Sequence, residues 1–123
     1  METIIKTAWA AIAVVHIAPA MALFSPKALE RLYGIAMDGD LRVLLTHRAA
    51  LFLAIVVLSL FALVDPVSRR AASIVVATSV LGFLALYARA GLPRGPLRSI
   101  AAVDTFALVP LAIVLVAAWR VPR

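Results

Sequence analysis

Apolar residues occupy four long stretches of this chain, and short polar connections separate them. The stretches cover about residues 3–24, 41–64, 71–88 and 99–119. An α-helix needs about 20 predominantly apolar residues to cross the hydrocarbon layer of a bilayer, and each stretch is close to that length. The connections leave no room for a soluble domain. We therefore predict an all-α protein with a single domain over residues 1–123, an integral membrane four-helix bundle.

The first connection has a helical pattern of its own. One side of it is apolar and consists of Ala28, Leu29, Leu32 and Tyr33. The opposite side is charged. Ser25 followed by Pro26 is typical of a helix start, and Gly34 is typical of a helix end. The pattern predicts a short amphipathic helix over residues 26–33, which lies in the membrane interface after the first span.

The composition agrees with a membrane location. Mean hydropathy is +1.09, 65% of the residues are apolar, and no cysteine is present to form a disulfide or to serve as a thiol nucleophile. The net charge of +6 comes from Lys and Arg residues that flank the apolar stretches. This placement is typical of contacts with lipid headgroups and not of nucleic-acid binding. We predict a multi-pass protein of the bacterial inner membrane.

The basic residues divide almost evenly between the two sides of the predicted bundle, five against seven. The positive-inside rule does not decide the orientation from such a split. Arg69 and Arg70 lie in the tightest connection, and Arg120 and Arg123 end the chain on the same side. Their position favours cytoplasmic termini.

The candidate catalytic residues are the ionisable residues placed deep in the apolar stretches, His16, His47, Arg48 and Asp104. Depth is counted at 1.5 Å per residue from the side of the first and third connections. His16 is then about 12 Å deep, His47 about 9 Å and Asp104 about 7.5 Å. Ionisable side chains in hydrocarbon are costly, so each one is a functional hypothesis. The other half of the bundle contains no embedded charge beyond Lys6. The distribution predicts a polar vestibule that opens toward the first and third connections.

Residues near that surface are candidate ligand contacts, namely Tyr33, Asp38, Asp40, Tyr87, Arg89 and Thr105. Each candidate also has a structural interpretation. Arg48 would snorkel to the interface, His47 would lie in it, and the tyrosines would belong to an interface belt. Asp104 would form a purely structural ion pair with Arg48 or Arg98. His16 would hydrogen-bond to a neighbouring helix carbonyl.

The stretches His16–Pro19, Leu32–Gly34 and Thr46–Ala49 (HIAP, LYG and THRA) resemble those of a group of small bacterial four-span membrane proteins. Many of these carry the label phosphopantetheine adenylyltransferase. The label does not fit, because the chain has neither the phosphate-binding histidine motif nor the parallel sheet of that soluble enzyme. The wider resemblance is to DoxX-like membrane proteins, which are distantly similar to sterol-isomerase and sigma-2-type bundles. It implies embedded acids and a histidine around a lipophilic ligand, roles that His16, His47 and Asp104 would take.

Two classes of function follow, and the sequence leaves open whether the protein is an enzyme. In the first, the bundle encloses a lipophilic small molecule and performs proton transfer on it, such as isomerisation or hydrolase-type epoxide opening. Asp104 or a histidine would be the base, and Arg48 would stabilise developing negative charge. In the second, an oligomeric small transporter or accessory subunit uses the same residues as a proton or ion path.

The expected partners are the lipid bilayer, a lipophilic small molecule and a second copy of the chain, since so small a transporter would need a homodimer. Nucleic acid is not among them. No cofactor-binding motif is present. Too few ligands with suitable spacing are available for a metal, so we predict neither a cofactor nor a metal site.

Overall fold

The computed structural model describes residues 1–120, and Arg123 lies outside that range. All regular elements within it are helical. Helix α1 spans Glu2–Met21 and continues into a 3₁₀ turn at Ala22–Phe24. The other helices are α2 (Pro26–Tyr33), α3 (Gly39–Val64), α4 (Arg69–Arg89) and α5 (Leu97–Arg120), with a 3₁₀ turn at Pro66–Ser68 before α4.

The four long helices, α1, α3, α4 and α5, match the four predicted apolar stretches to within two residues at most of their ends. Each, taken with its adjoining turn, is long and apolar enough to cross a membrane. Their hydropathy is high because apolar residues surround the helices on all sides and do not form one stripe. The all-helical, four-helix prediction is confirmed for the described part of the chain.

Helix α2 has the bounds that its end signals predict. The Ser25 hydroxyl accepts a hydrogen bond from the Ala28 backbone N–H at 3.2 Å, and Pro26 occupies the first turn. Gly34 ends the helix with a φ of +68°, a conformation that costs glycine little and other residues more. Leu29 is fully buried on the inner side of α2. The short helix therefore packs against the bundle with its apolar side.

The long helices enclose one continuous apolar core. Helix α1 packs most extensively against α3 and also against α5, and α5 packs against α4. Within the long helices, the largest fully buried apolar side chains are Trp9, Ile12, Leu111, Val76, Val80 and Val114. Large apolar side chains also cover the outside of the bundle, including Phe61 at 60% exposure and Phe106 at 78%. An apolar exterior around an apolar core is what lipid-facing helices require.

The end of the bundle that joins α3 to α4 holds an ion pair that the sequence analysis missed. Arg69 is buried, and its guanidinium donates to the Glu2 carboxylate at 2.6 and 3.1 Å. Its Nε donates to the Ala62 carbonyl at 2.9 Å. The prediction that embedded charge is confined to the opposite half is therefore wrong. Glu2 and Arg69 are distant along the chain, and no local pattern indicates that they meet.

A second polar group closes the same end. The Arg70 Nε donates to the Ala118 carbonyl at 2.9 Å, and the guanidinium lies 5.4 Å from the Trp119 ring. The Trp119 indole donates to the Ser73 hydroxyl at 3.3 Å. These contacts fix the start of α4 against the end of α5. We call the two groups together the clamp end of the bundle.

Candidate ligand-binding site

A cavity of about 290 Å³ lies between α1 and α5 at the end opposite the clamp, with α2 across it. Its walls are apolar for the most part and include Val15, Phe52 and Val103. The polar side chains that line it are His16, Asp104, Ser99 and Arg31. The predicted vestibule is thus an apolar cavity with a few polar groups, which is the usual composition of a small-molecule site.

His16 is nearly inaccessible, at 2% exposure, and its two ring nitrogens differ in environment. Nδ1 lies 2.8 Å from the Ile12 carbonyl, one turn earlier in α1. A carbonyl only accepts, so Nδ1 carries the hydrogen, and Nε2 of the neutral ring carries a free lone pair. Nε2 is buried without a hydrogen-bond partner among residues 1–120. The ring is therefore fixed in orientation, and its unused acceptor is itself inaccessible, beside the cavity that His16 lines.

The backbone next to His16 is also unusual. Pro19 lies inside α1, and its missing N–H leaves the Val15 carbonyl without its usual helical donor. Both Val15 and Pro19 line the cavity. Phe52 of α3 packs beside the imidazole, with ring centroids 5.8 Å apart. The turn of α1 that contains Pro19 and one phenyl ring thus form the wall that holds the histidine.

Asp104 reaches the same cavity from α5 and is 8% exposed. None of the hydrogen bonds and ion pairs within residues 1–120 involves its carboxylate; the ion pair there joins Glu2 and Arg69. The predicted ion pair of Asp104 with Arg48 or Arg98 is therefore wrong. The carboxylate is free to accept hydrogen bonds from a molecule in the cavity.

Arg48 lies behind the cavity and not in its wall. Its guanidinium carbon is 5.2 Å from the centre of the Phe52 ring and 5.4 Å from that of Phe83, so the cation is held between α3 and α4. Cation–π contacts of this kind stabilise a partly desolvated guanidinium. Snorkelling to the interface is not observed, because the side chain turns inward. Nε of Arg48 is buried without a partner among the described residues.

Tyr33 at the end of α2 meets Arg48 from the connection side. The guanidinium interacts with the Tyr33 hydroxyl, which is half-buried. Burial raises the pKa of Tyr33 above its usual value, and the Arg48 charge and hydrogen bond oppose the rise. The contact links the short helix to the seam between α3 and α4. Tyr33 therefore belongs to the surroundings of the site, one residue removed from the cavity.

His47 does not join the group. It is exposed on α3, although Arg48 beside it turns inward. Successive residues in a helix are rotated by about 100°, so the two neighbours cannot face the same interior. His47 was grouped with the cavity residues from its level along the helix, but its side chain faces outward.

The remaining predicted ligand contacts also lie away from the cavity. Asp38, Asp40 and Arg89 are exposed on the connections and the end of α4. The Tyr87 hydroxyl donates to the Pro93 carbonyl at 2.7 Å and orders the third connection. Thr105 donates to the Ala101 carbonyl of its own helix at 2.7 Å. Side chains satisfied within their own loop or helix have no remaining donor to offer a ligand.

Sequence reasoning missed the covering residues of the cavity, Arg31 and Leu32 on α2 and Pro96 before α5. Gly34, the glycine that ends α2, was one sequence signal for a close contact at this position. A Cβ at Gly34 would lie 2.5 Å from Cγ of Pro96, so the proline ring leaves no room for a side chain at this position. The contact holds the end of α2 against the third connection. It explains why both connections cover the same cavity.

Within residues 1–120, no group of three or more His, Cys, Asp or Glu side chains is placed to hold a metal ion. Comparison of the chain with protein-family models, curated proteins and solved structures gives no match. The function is therefore argued from the site.

Proposed function

We propose that this protein is a multi-pass membrane protein that binds a lipophilic small molecule in the cavity between α1 and α5. The observation that carries the proposal is the pairing of His16 and Asp104 on one apolar cavity. The first offers a buried Nε2 without a partner, and the second offers a carboxylate without a hydrogen bond among the described residues. Buried polar groups are normally satisfied, and unsatisfied ones call for an explanation such as an absent ligand.

Both groups are hydrogen-bond acceptors when His16 is neutral and Asp104 is ionised. The complementary ligand has an apolar body and a donor, such as a hydroxyl, that reaches the two acceptors. The cavity is near the lower end of the size range of small-molecule sites. Its lining includes exposed residues of α1 and α5, Ala18 and Val103, which would face lipid in a membrane.

The same arrangement suits proton transfer. An unprotonated Nε2 is a general base at neutral pH, and its orientation is set by the Nδ1 hydrogen bond. Asp104 would bind or return the proton from the facing helix. Arg48 would stabilise negative charge from behind the phenyl ring of Phe52. Isomerisation and epoxide opening are the reaction types we propose if the protein is an enzyme.

A transport path through one copy of the bundle receives less support. Beyond His16, the core toward the clamp end contains fully buried apolar side chains such as Trp9, Ile12 and Val114. The hydroxyls of Ser59 and Ser73 donate to carbonyls of their own helices. A proton or ion path needs polar groups or water along its length. A transporter would therefore have to form its path between copies.

The cellular setting belongs to the same proposal. We place the four long helices across the bacterial inner membrane, with α2 in the interface and both termini cytoplasmic. The apolar exterior of the bundle supports the insertion. The amphipathic α2, with Leu29 inward and charged residues outward, supports the interfacial position. A relationship to DoxX-like proteins remains a proposal on the sequence motifs.

Mass spectrometry of lipophilic molecules that co-purify with the protein in neutral detergent tests the function. We compare His16→Gln with His47→Gln and Asp104→Asn with Asp40→Asn, since each pair alters one cavity residue and one exposed residue of the same type. A bound molecule should be present in the wild type and in both exposed-site variants and be lost from both cavity variants. Equal retention in all four variants, with all of them folded, would refute the proposal.

A further inference from the structure

Among the described residues that line the cavity, Arg31 is the one with a strongly basic side chain. Its position in the lining differs from that of the other polar groups. It lies on α2, at the mouth, and is exposed. No ion pair within residues 1–120 involves it. Lys27 lies one turn earlier on the same helix, where a like charge at this spacing is unfavourable. An anion beside Arg31 would therefore relieve repulsion as well as form new hydrogen bonds.

Polarity is arranged in two levels along the cavity. The deep level contains acceptors, His16 Nε2 and the Asp104 carboxylate. The mouth contains the Arg31 guanidinium, which has donors and no acceptor. Ser99 lines the exposed rim of the cavity, and Asp104 follows it by five residues in α5. The two levels are therefore separated by about 7.5 Å along α5. A ligand with an anionic group at the mouth satisfies Arg31, and a donor on its deeper portion satisfies the two acceptors.

The size of the cavity limits how much of such a molecule enters. A volume of about 290 Å³ is at the lower end for small-molecule sites, so an amphiphile with a long chain does not fit inside it whole. A longer chain must leave the cavity again. The exposed Ala18 and Val103 at the lining allow it to pass out between α1 and α5 on the side facing the lipid.

We propose that the ligands of this cavity are single-chain amphiphiles with an anionic head, carboxylate or phosphate, which Arg31 binds at the mouth. The inference rests on the proposed ligand-binding function and names the chemical class that the site takes. The planar guanidinium matches both anions through paired N–H donors. The position of Arg31 on α2 places the head at the level of the membrane interface, where the anionic groups of amphiphiles lie.

The test measures binding of three probes with the same chain, dodecanoate, dodecyl phosphate and dodecanol, by native mass spectrometry in neutral detergent. The wild type should bind at least one of the anions about tenfold tighter than dodecanol, the effect of a charge-assisted hydrogen-bond pair. Arg31→Gln should reduce the affinity of the protein for that anion to its affinity for dodecanol. Lys27→Gln, on the same helix but away from the cavity lining, should stay within about twofold of the wild type. The tighter anion identifies the head.

The outcomes separate this inference from the proposed function. Dodecanol offers a hydroxyl donor to His16 and Asp104, so its binding should fall in His16→Gln and remain in Arg31→Gln. If dodecanol binds in that manner but the anions bind no tighter, or if Arg31→Gln leaves their affinity unchanged, the anionic class is wrong and the ligand-binding function stands. If none of the probes binds to the folded wild type, both are overturned.

Discussion

The two ends of the bundle treat buried polar groups in opposite ways. At the clamp end, the Arg69 guanidinium has hydrogen bonds to Glu2 and to the Ala62 carbonyl. At the cavity end, His16 Nε2 and Arg48 Nε are buried without partners among the described residues, and the third such atom, Trp9 Nε1, lies midway along α1. Groups that are satisfied inside the protein stabilise it, whereas unsatisfied groups lower stability and are retained where a ligand uses them. The contrast agrees with the proposal that the clamp end stabilises the bundle and the cavity end binds a ligand.

The largest effect on stability should come from Arg69→Met at the clamp end. The variant removes hydrogen bonds from one charged donor group and leaves the Ala62 carbonyl without its side-chain partner. We expect a loss of about 3 kcal/mol in the free energy of unfolding, with ligand or probe binding unchanged. Thermal unfolding in detergent measures it. Arg89→Met, at an exposed position, is the control and should change little.

A loss of binding in folded Arg69→Met would contradict the division of the two ends. It would show that the α3–α4 end sets the geometry of the cavity. A loss of stability as large in Arg89→Met would show that the charge at any helix end, and not the particular contacts of Arg69, stabilises the bundle.

The second-largest effect on stability should come from Gly34→Ala, a substitution at the cavity end. Alanine at a φ of +68° is strained, and its Cβ would lie 2.5 Å from Pro96 Cγ. We expect a loss of about 2 kcal/mol and weaker probe binding, because α2 must move away from the third connection. Gly82→Ala is the matched control, since its Cβ meets nothing within 4 Å and alanine favours a helix. It should be neutral or stabilising. Equal effects of the two substitutions would refute a special role for the Gly34–Pro96 contact.

Asp104→Asn should have a smaller effect of the opposite sign. The carboxylate is buried and has no hydrogen bond within residues 1–120, so its charge is a cost in the unliganded state. The amide removes the charge at nearly the same volume. We expect the free energy of unfolding to rise by about 1 kcal/mol while binding is lost, as is common at functional sites. Chemical denaturation beside a binding assay measures both. A destabilised variant would mean that Asp104 has a structural role.

The sequence predicts depth in this protein much better than direction. Hydropathy located the four long helices, and the Ser25 and Gly34 end signals located α2, because both depend on neighbours in the chain. His16 and Asp104 were expected at a common level, and they line one cavity. His47 was grouped with them at a similar level but faces outward. Because α3 is apolar on all sides, no stripe in the sequence shows which way a residue turns.

The contacts that the sequence could not provide are those between distant elements. Glu2 and Arg69 are 67 residues apart in the sequence, and each has the position of an ordinary flanking charge. In the sequence, Arg31 belongs to the polar side of an amphipathic helix. Its position at the mouth of the cavity depends on how α2 lies over α1 and α5. Arg48 was expected beside Asp104, but two phenyl rings hold it instead. Packing decides these positions.

The smallest effect should come from Tyr33→Phe, and it should appear only at high pH. Burial raises the pKa of Tyr33 in the folded state above that of the unfolded chain. The folded state then retains the hydroxyl proton to a higher pH than the unfolded chain does. The stability that results is fully present below the pKa of Tyr33 in the unfolded chain, and it is lost as pH rises through the pKa of Tyr33 in the folded state. We expect the wild type to lose more stability than Tyr33→Phe between about pH 9 and pH 11, around the ordinary tyrosine pKa. Thermal unfolding of both proteins at each pH measures the difference, and all other titrating groups are common to the two. A larger loss in Tyr33→Phe would reverse the sign and show that the Arg48 contact, which favours the ionised hydroxyl, outweighs burial at this junction of α2 with the bundle.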